Sequence, residues 1–191
     1  MEASQVSFSD IAFRAFASAK GVKTSPATLR GAPVEFLLSN EEFFPCPFGA
    51  SAYMAPDATR LNLEVDITNS PLLPLLQAAE QAIIQKAYSD GIFEGTLEDT
   101  AKQFHSSIAF SEKYASYRLR AKINVAGLRQ CRFFLAPEKT RVAFSEIELR
   151  GATVRPHLQL KALWRQGGSW GIQYEVLNLL VLPASEAPVP F

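Results

Sequence analysis

The sequence predicts a mainly β fold, a small barrel with one helical insertion at about residues 71–104. Three observations predict it. Several short runs alternate apolar and polar residues with the period of a half-buried strand. One longer stretch, opening at Pro71, carries its apolar residues at helical spacing instead. Near the end, two long alternating runs flank Gly167-Gly168, which is the pattern of a β-hairpin.

Taken in order, residues 1–30 read as a strand or two with loose Ser, Gly and Thr connections, and Val34 to Ser39 reads as another strand. Pro45-Cys-Pro-Phe-Gly49 is a turn segment, because its prolines fix φ and its glycine can take a positive one. From Arg60 to Thr68, Leu61, Leu63, Val65 and Ile67 alternate with Asn62, Glu64, Asp66 and Thr68, a strand whose wet face is acidic and solvated. Leu72, Leu75, Leu76, Ala79, Ile83 and Ala87 then set a helix running to about Tyr88. A shorter helix is expected from Leu97 to Phe104, with Thr96 as its N-cap. Tyr117 to Val125 alternates again, and its polar face is Arg118, Arg120, Lys122 and Asn124. Arg132 to Leu135 and Ile147 to Arg150 are two further short strands. In the closing hairpin Leu158, Leu160, Ala162 and Trp164 share one face, and His157, Gln159, Lys161 and Arg165 are polar. The shared apolar face makes Trp164 a core residue.

A partly open five-stranded barrel of the OB type accounts for this number of short strands, and an inserted helix can plug its end. A jelly roll or β-sandwich gives the same periodicity. The helix favours the OB arrangement. No repeat or second-domain boundary interrupts residues 1–182, and 183–191 reads as a flexible tail, since Pro183, Pro188 and Pro190 prevent regular structure.

Charge is unevenly placed. The 191-residue chain has 19 Lys/Arg and 19 Asp/Glu, for a formal net charge of zero. Between Phe104 and Tyr174, however, twelve Lys/Arg face four Glu, a local surplus of eight, which leaves seven cations against fifteen acids elsewhere. Such a chain can hold an anionic ligand on one surface. Cys46 and Cys131 form no ligand pattern and read as buried thiols of a reducing compartment. The N-terminal stretch lacks an uninterrupted apolar core, because Asp10, Arg14 and Lys20 break it, and no run reaches spanning length. An intracellular protein without membrane partners is expected.

Catalysis is not expected. His105 and His157 are the only histidines, no paired carboxylates or nucleophile–base spacing occurs, and Gly167-Gly168 lacks the flanks of a phosphate loop. Asp57, Glu64 and Asp66 read as solvated rather than as a metal cluster, so neither metal nor cofactor is expected.

Cations and aromatics on strand faces are what single-stranded nucleic acid requires: a positive groove for its phosphates and rings on which bases stack. Arg118, Arg120, Lys122, Arg132, Lys161 and Arg165 are the candidate phosphate contacts. Phe133 and Phe134 point to opposite faces, so one of them, Phe134, is a candidate stacking ring. Trp170 shares its alternation with Ile172, Tyr174 and Val176, but its place at the start of a strand makes it a second candidate. A non-enzymatic assembly protein with a β-sandwich core is the alternative reading.

The segment Phe44-Pro-Cys-Pro-Phe-Gly-Ala-Ser-Ala-Tyr53, the helical insertion from Pro71, the Leu119-Arg-Ala-Lys-Ile123 strand and the Leu163-Trp164 … Trp170-Gly171-Ile172 hairpin carry a resemblance. Their order and spacing, over residues 5–182, resemble the single-stranded-DNA-binding OB-fold proteins of large DNA viruses, which are distantly similar to phage replicative single-strand binders. The resemblance implies an OB barrel that coats exposed DNA strands without sequence specificity during replication, repair or recombination. It places Lys122 and the hairpin aromatics in or beside the groove. It also implies an intracellular site of DNA replication, a nucleus or a cytoplasmic viral factory, and leaves self-association open. Val189-Pro190-Phe191 is similar to the aromatic tip by which bacterial single-strand binders dock replication proteins, which makes Phe191 a candidate docking residue. Those tails are strongly acidic, whereas here Glu186 is the one charged side chain of the last nine residues.

Overall fold

Residues 11–13, 17–19, 22–36, 42–51 and 58–184 are described in a computed structural model of the chain. The hairpin predicted around Gly167-Gly168 is its spine. Strand β13 spans Ala152–Gln166 and β14 spans Ser169–Leu182, paired antiparallel along their length. The strands before them are β1 (Ile11–Phe13), β2 (Ala17–Ala19), β3 (Val22–Leu29), β4 (Ala32–Phe36), β5 (Phe44–Cys46), β6 (Ala50–Ser51), β7 (Arg60–Asp66), β8 (Phe104–His105), β9 (Ile108–Ser111), β10 (Ser116–Asn124), β11 (Arg132–Leu135) and β12 (Thr140–Val142).

Six strands form a ring, with β5 and β6 joined by a corner rather than by pairing. β5 pairs with the start of β13, a turn at Gly49 with φ +68° leads into β6, and β6 pairs with β7. β7 lies antiparallel to β10, and β10 lies parallel to β14, where Lys122 faces Glu175 and Ile123 faces Val176. β14 returns to β13, which completes a closed Greek-key barrel, the OB architecture. Closure needs the sharp corner between β5 and β6. A Cβ on Gly49 would sit 3.1 Å from the Arg150 nitrogen, so both the positive φ and the close approach require glycine there.

Outside the ring, β4 and β3 continue along the free edge of β13, and β1 and β2 pair with β3. The other edge of β14 carries β8, β10 and β11 in succession, and β12 pairs with β11. Long curved strands that serve several short partners bend at bulges, and β13 has register shifts between His157 and Leu158 and between Leu160 and Ala162.

The crossover from β7 to β10 carries the helices. α1 spans Leu72–Ser89 and buries Leu72, Leu76, Ala79, Ile83 and Ala87, an i, i+4, i+7, i+11, i+15 stripe facing the core. Gly91 at φ +65° ends it. α2 spans Leu97–Lys102 and starts with a capping box: Thr96 Oγ1 accepts from the Asp99 N–H, and Asp99 accepts from the Thr96 N–H. The sequence extends this helix to Phe104; the chain instead enters β8 there.

One expected strand is absent. Ile147 to Arg150 is irregular, because a 3₁₀ turn at Phe144–Glu146 precedes it and Gly151 with φ +78° follows. Leu149 is buried from that segment without belonging to a ladder. No helix among the described residues is long and apolar enough to cross a membrane.

Candidate nucleic-acid interface

β10 buries Leu119, Ala121 and Ile123 and turns Arg118, Arg120 and Lys122 to the outside, as its alternation requires. Its partner β7 sets Asp66, Glu64, Asn62 and Arg60 against Arg118, Arg120, Lys122 and Asn124 in register. The acidic strand face expected to be solvated therefore lies against the cationic one. Arg120 donates from Nε (3.0 Å) and Nη2 (2.8 Å) to Glu64 Oε1, and Arg118 Nη1 lies 3.4 Å from Glu64 Oε2. Register made this contact, and register is invisible when each strand is read alone.

A groove of about 810 Å³ opens over these residues, where β9 leaves the edge of β10 and β14 takes its place. The intervening segment is pinned at three points. Arg120 N–H donates to the Ser107 carbonyl at 2.8 Å, Ser107 Oγ donates to the Ile172 carbonyl at 2.9 Å, and Ser107 N–H donates to Glu80 Oε1 at 3.1 Å. Glu80, a carboxylate carried into the core by α1, also accepts from Ser106 Oγ, and burial pushes its pKa up. The rim is thus fixed to the helical plug.

Arg60, Arg118, Arg120 and Lys122 line the groove against Glu64, a surplus of three positive charges. Lys122 is the most constrained of them. Its Nζ donates to Asn62 Oδ1 at 2.5 Å, and burial, followed by the neighbouring charges of Arg60 and Arg120, holds its pKa below the usual lysine value. An anion seated between these three cations would relieve that repulsion. Lys161 stands just beyond, 3.6 Å from Glu175, and the same carboxylate lies 4.0 Å from Arg60.

Trp164 leaves the core face that its alternation assigns it, while Trp170 keeps its own. The bulge between Leu160 and Ala162 shifts the phase of β13, so Leu163 is fully buried and Trp164 lines the groove, half-buried. Its ring lies over Gly171, where an added Cβ would come within 2.9 Å of it, and 6.1 Å from the ring of His105. Phe110, 53% exposed, stands on the β9 side of the same groove. Trp170 is 0% exposed, stacked on Phe93 at 4.5 Å, and its indole N–H donates to the Thr100 carbonyl at 2.8 Å. A ring held so cannot stack on a base, so Trp170 leaves the site.

The remaining candidates divide. Arg165 points away from Trp164 and lies over Phe93, 5.2 Å from its centroid, on another surface. Arg132 and Phe134 stand opposite Asn178 and Leu180 on the outer side of β14, farther along the same surface as Lys122 and Glu175. Phe133 is 1% exposed and belongs to the core, while Phe134 is half-buried. Phe191 lies outside the described residues. Trp164 had one signal in the sequence: three apolar residues in a row, Ala162-Leu163-Trp164, break strict alternation and mark the bulge. Arg60 and Phe110 had none beyond their residue type. Among the described residues no group of three or more His, Cys, Asp or Glu could hold a metal ion.

The sequence matches no protein-family model and no curated protein. Among solved structures the chain is similar to the single-stranded DNA-binding protein of bacteriophage Enc34 in complex with ssDNA, with a TM-score of 0.45 and 9% identity over 87% of this chain and 88% of that one. It is similar to the C-terminal truncation of the same protein, with a TM-score of 0.47 and 10% identity over 92% and 98% of the two chains. It is also similar to gp2.5, a single-stranded DNA-binding protein encoded by bacteriophage T7, with a TM-score of 0.41 and 12% identity over 78% and 90%.

Proposed function

We propose that the protein binds single-stranded DNA without sequence specificity, in the groove over β7, β10 and the β13–β14 hairpin, and serves DNA replication, repair or recombination inside the cell. The observation that carries this is Lys122, a half-buried cation crowded by Arg60 and Arg120 on the floor of an open groove. Such clustering raises the energy of the empty site and is relieved by an anion. Phosphates of the strand sit on Arg60, Arg120 and Lys122, and Trp164, with Phe110 across the groove, offers faces for bases. No hydrogen-bond pattern is needed for stacking, so the site tolerates any sequence. Arg132 and Phe134 extend the track along the outer side of β14. The narrower affiliation with large DNA viruses rests on the order of sequence motifs.

Fluorescence anisotropy with labelled oligo-dT, a mixed-sequence strand and a duplex of equal length tests the reading. The two single strands should bind alike and the duplex much more weakly, with affinity falling steeply as salt rises. Equal binding of duplex and single strands would refute it.

A further inference from the structure

Glu64 holds two of the groove's arginines. Its Oε1 accepts both the Nε–H (3.0 Å) and Nη2–H (2.8 Å) of Arg120, and its Oε2 lies 3.4 Å from Nη1 of Arg118. Two N–H groups of Arg120 converge on one oxygen and the Arg118 guanidinium lies near the other, charge-assisted contacts of the kind by which arginine also takes a phosphate. The carboxylate is supplied from β7 by register, directly opposite Arg120, and it lines the same groove as Lys122 and Arg60. It is the one carboxylate among that groove's described lining residues. The pairing is unlike the ion pair of Glu98 with Lys102, which joins two strongly exposed side chains on α2 away from the groove.

We infer that Glu64 is a built-in competitor for the strand: it must yield Arg118 and Arg120 before a phosphate can take them, and it thereby sets the affinity and release rate of the site. The inference rests on the single-strand-binding reading above. Three consequences follow from charge alone. With Glu64 in place, the guanidiniums are already neutralised, so part of the gain from each phosphate contact is spent on breaking an existing pair. A displaced carboxylate, lying beside a phosphate, also draws a solution cation back to the site, which flattens the salt dependence. A strand leaving the groove is helped out by the returning carboxylate, so dissociation is faster than the cations alone would allow.

The test is Glu64→Gln, which keeps the shape and one acceptor oxygen and removes the charge, compared with wild type and with Glu98→Gln as a remote control. Oligo-dT affinity is measured by anisotropy across salt, and dissociation by chase with unlabelled strand. Glu64→Gln should bind about fivefold tighter at low salt, a change of about 1 kcal/mol, release more slowly, and show a log–log salt slope steeper by roughly 0.7. Glu98→Gln should match wild type. Equal or weaker binding by Glu64→Gln, with the fold intact by circular dichroism, overturns the inference and makes Glu64 a residue that merely orients the arginines. Equal tightening by both variants overturns it as well, since the effect would then be net charge. If wild type and both variants all fail to bind oligo-dT, the single-strand-binding reading itself has failed.

Discussion

Exchanging the perturbation between the two tryptophans separates core from interface within one chain, because Trp164 and Trp170 are its only tryptophans. Trp170→Ala removes a ring that is 0% exposed and packed against Phe93 and Phe104 at centroid distances of 4.5 and 4.8 Å. Deleting a buried tryptophan costs about 3–5 kcal/mol, and the Thr100 carbonyl loses its indole donor, roughly 1 kcal/mol more. In a chain of this size each kcal/mol lowers Tm by about 2–4 °C, so the loss is on the order of 10 °C or more. Trp164→Ala removes a half-buried ring that rests on a glycine. Its effect on Tm should be a small part of that, while binding of oligo-dT weakens by roughly 1–3 kcal/mol. Fluorescence provides the sharper readout. Trp170→Phe, with Trp164 as the only indole, should keep its quenching by oligo-dT, and Trp164→Phe should lose it. Quenching that follows Trp170 instead would refute the register of β13 and with it the placement of the groove.

Phe133→Ala should cost about 3–5 kcal/mol of stability, whereas Phe134→Ala should leave unfolding nearly unchanged and weaken strand binding; comparable Tm losses would exclude a binding role for Phe134. Gly171→Ala should lower both stability and affinity, because the new methyl would stand 2.5 Å from the His105 carbonyl and 2.8 Å from Trp164; thermal melts and anisotropy read the two effects. Lys122→Met should raise Tm at neutral pH while weakening oligo-dT binding. Burial, followed by the charges of Arg60 and Arg120, lowers the pKa of Lys122 in the folded chain, so its charge opposes folding below that lowered value. The advantage of methionine should therefore shrink as pH rises through the lowered value toward 10.5, the unperturbed one; a constant difference in Tm across that range would contradict the assignment.

The strands and helices were legible because each carries its own period. Leu61 to Ile67 and Leu119 to Ile123 alternate without a break, and the α1 stripe repeats every three or four residues, so the local pattern alone orients them. What the pattern lacks is information about neighbours. Glu64 looks solvated until register sets it against Arg120, and Arg165 looks like part of a cationic face until Phe93 is seen beneath it. Trp164 departs for a different reason: one inserted residue in β13 reverses the phase of everything after it, and strict alternation carried past Leu160 assigns this ring to the wrong side. Ile147 to Arg150 is too short for its alternation to decide its pairing, since four residues between a 3₁₀ turn and a positive-φ glycine can alternate without joining a sheet.

The most direct test of the central claim is the salt dependence of oligo-dT binding by wild type and by the Arg120→Ala, Lys122→Ala double variant. Wild type should give a straight log–log plot with a slope of roughly −0.7 for every phosphate neutralised. The double variant should bind more weakly, with a slope shallower by about 0.7–1.4 and an unchanged Tm or a higher one. Identical slopes for the two proteins, or an affinity of the wild type that does not respond to salt, would contradict the account and remove the phosphate track from this groove.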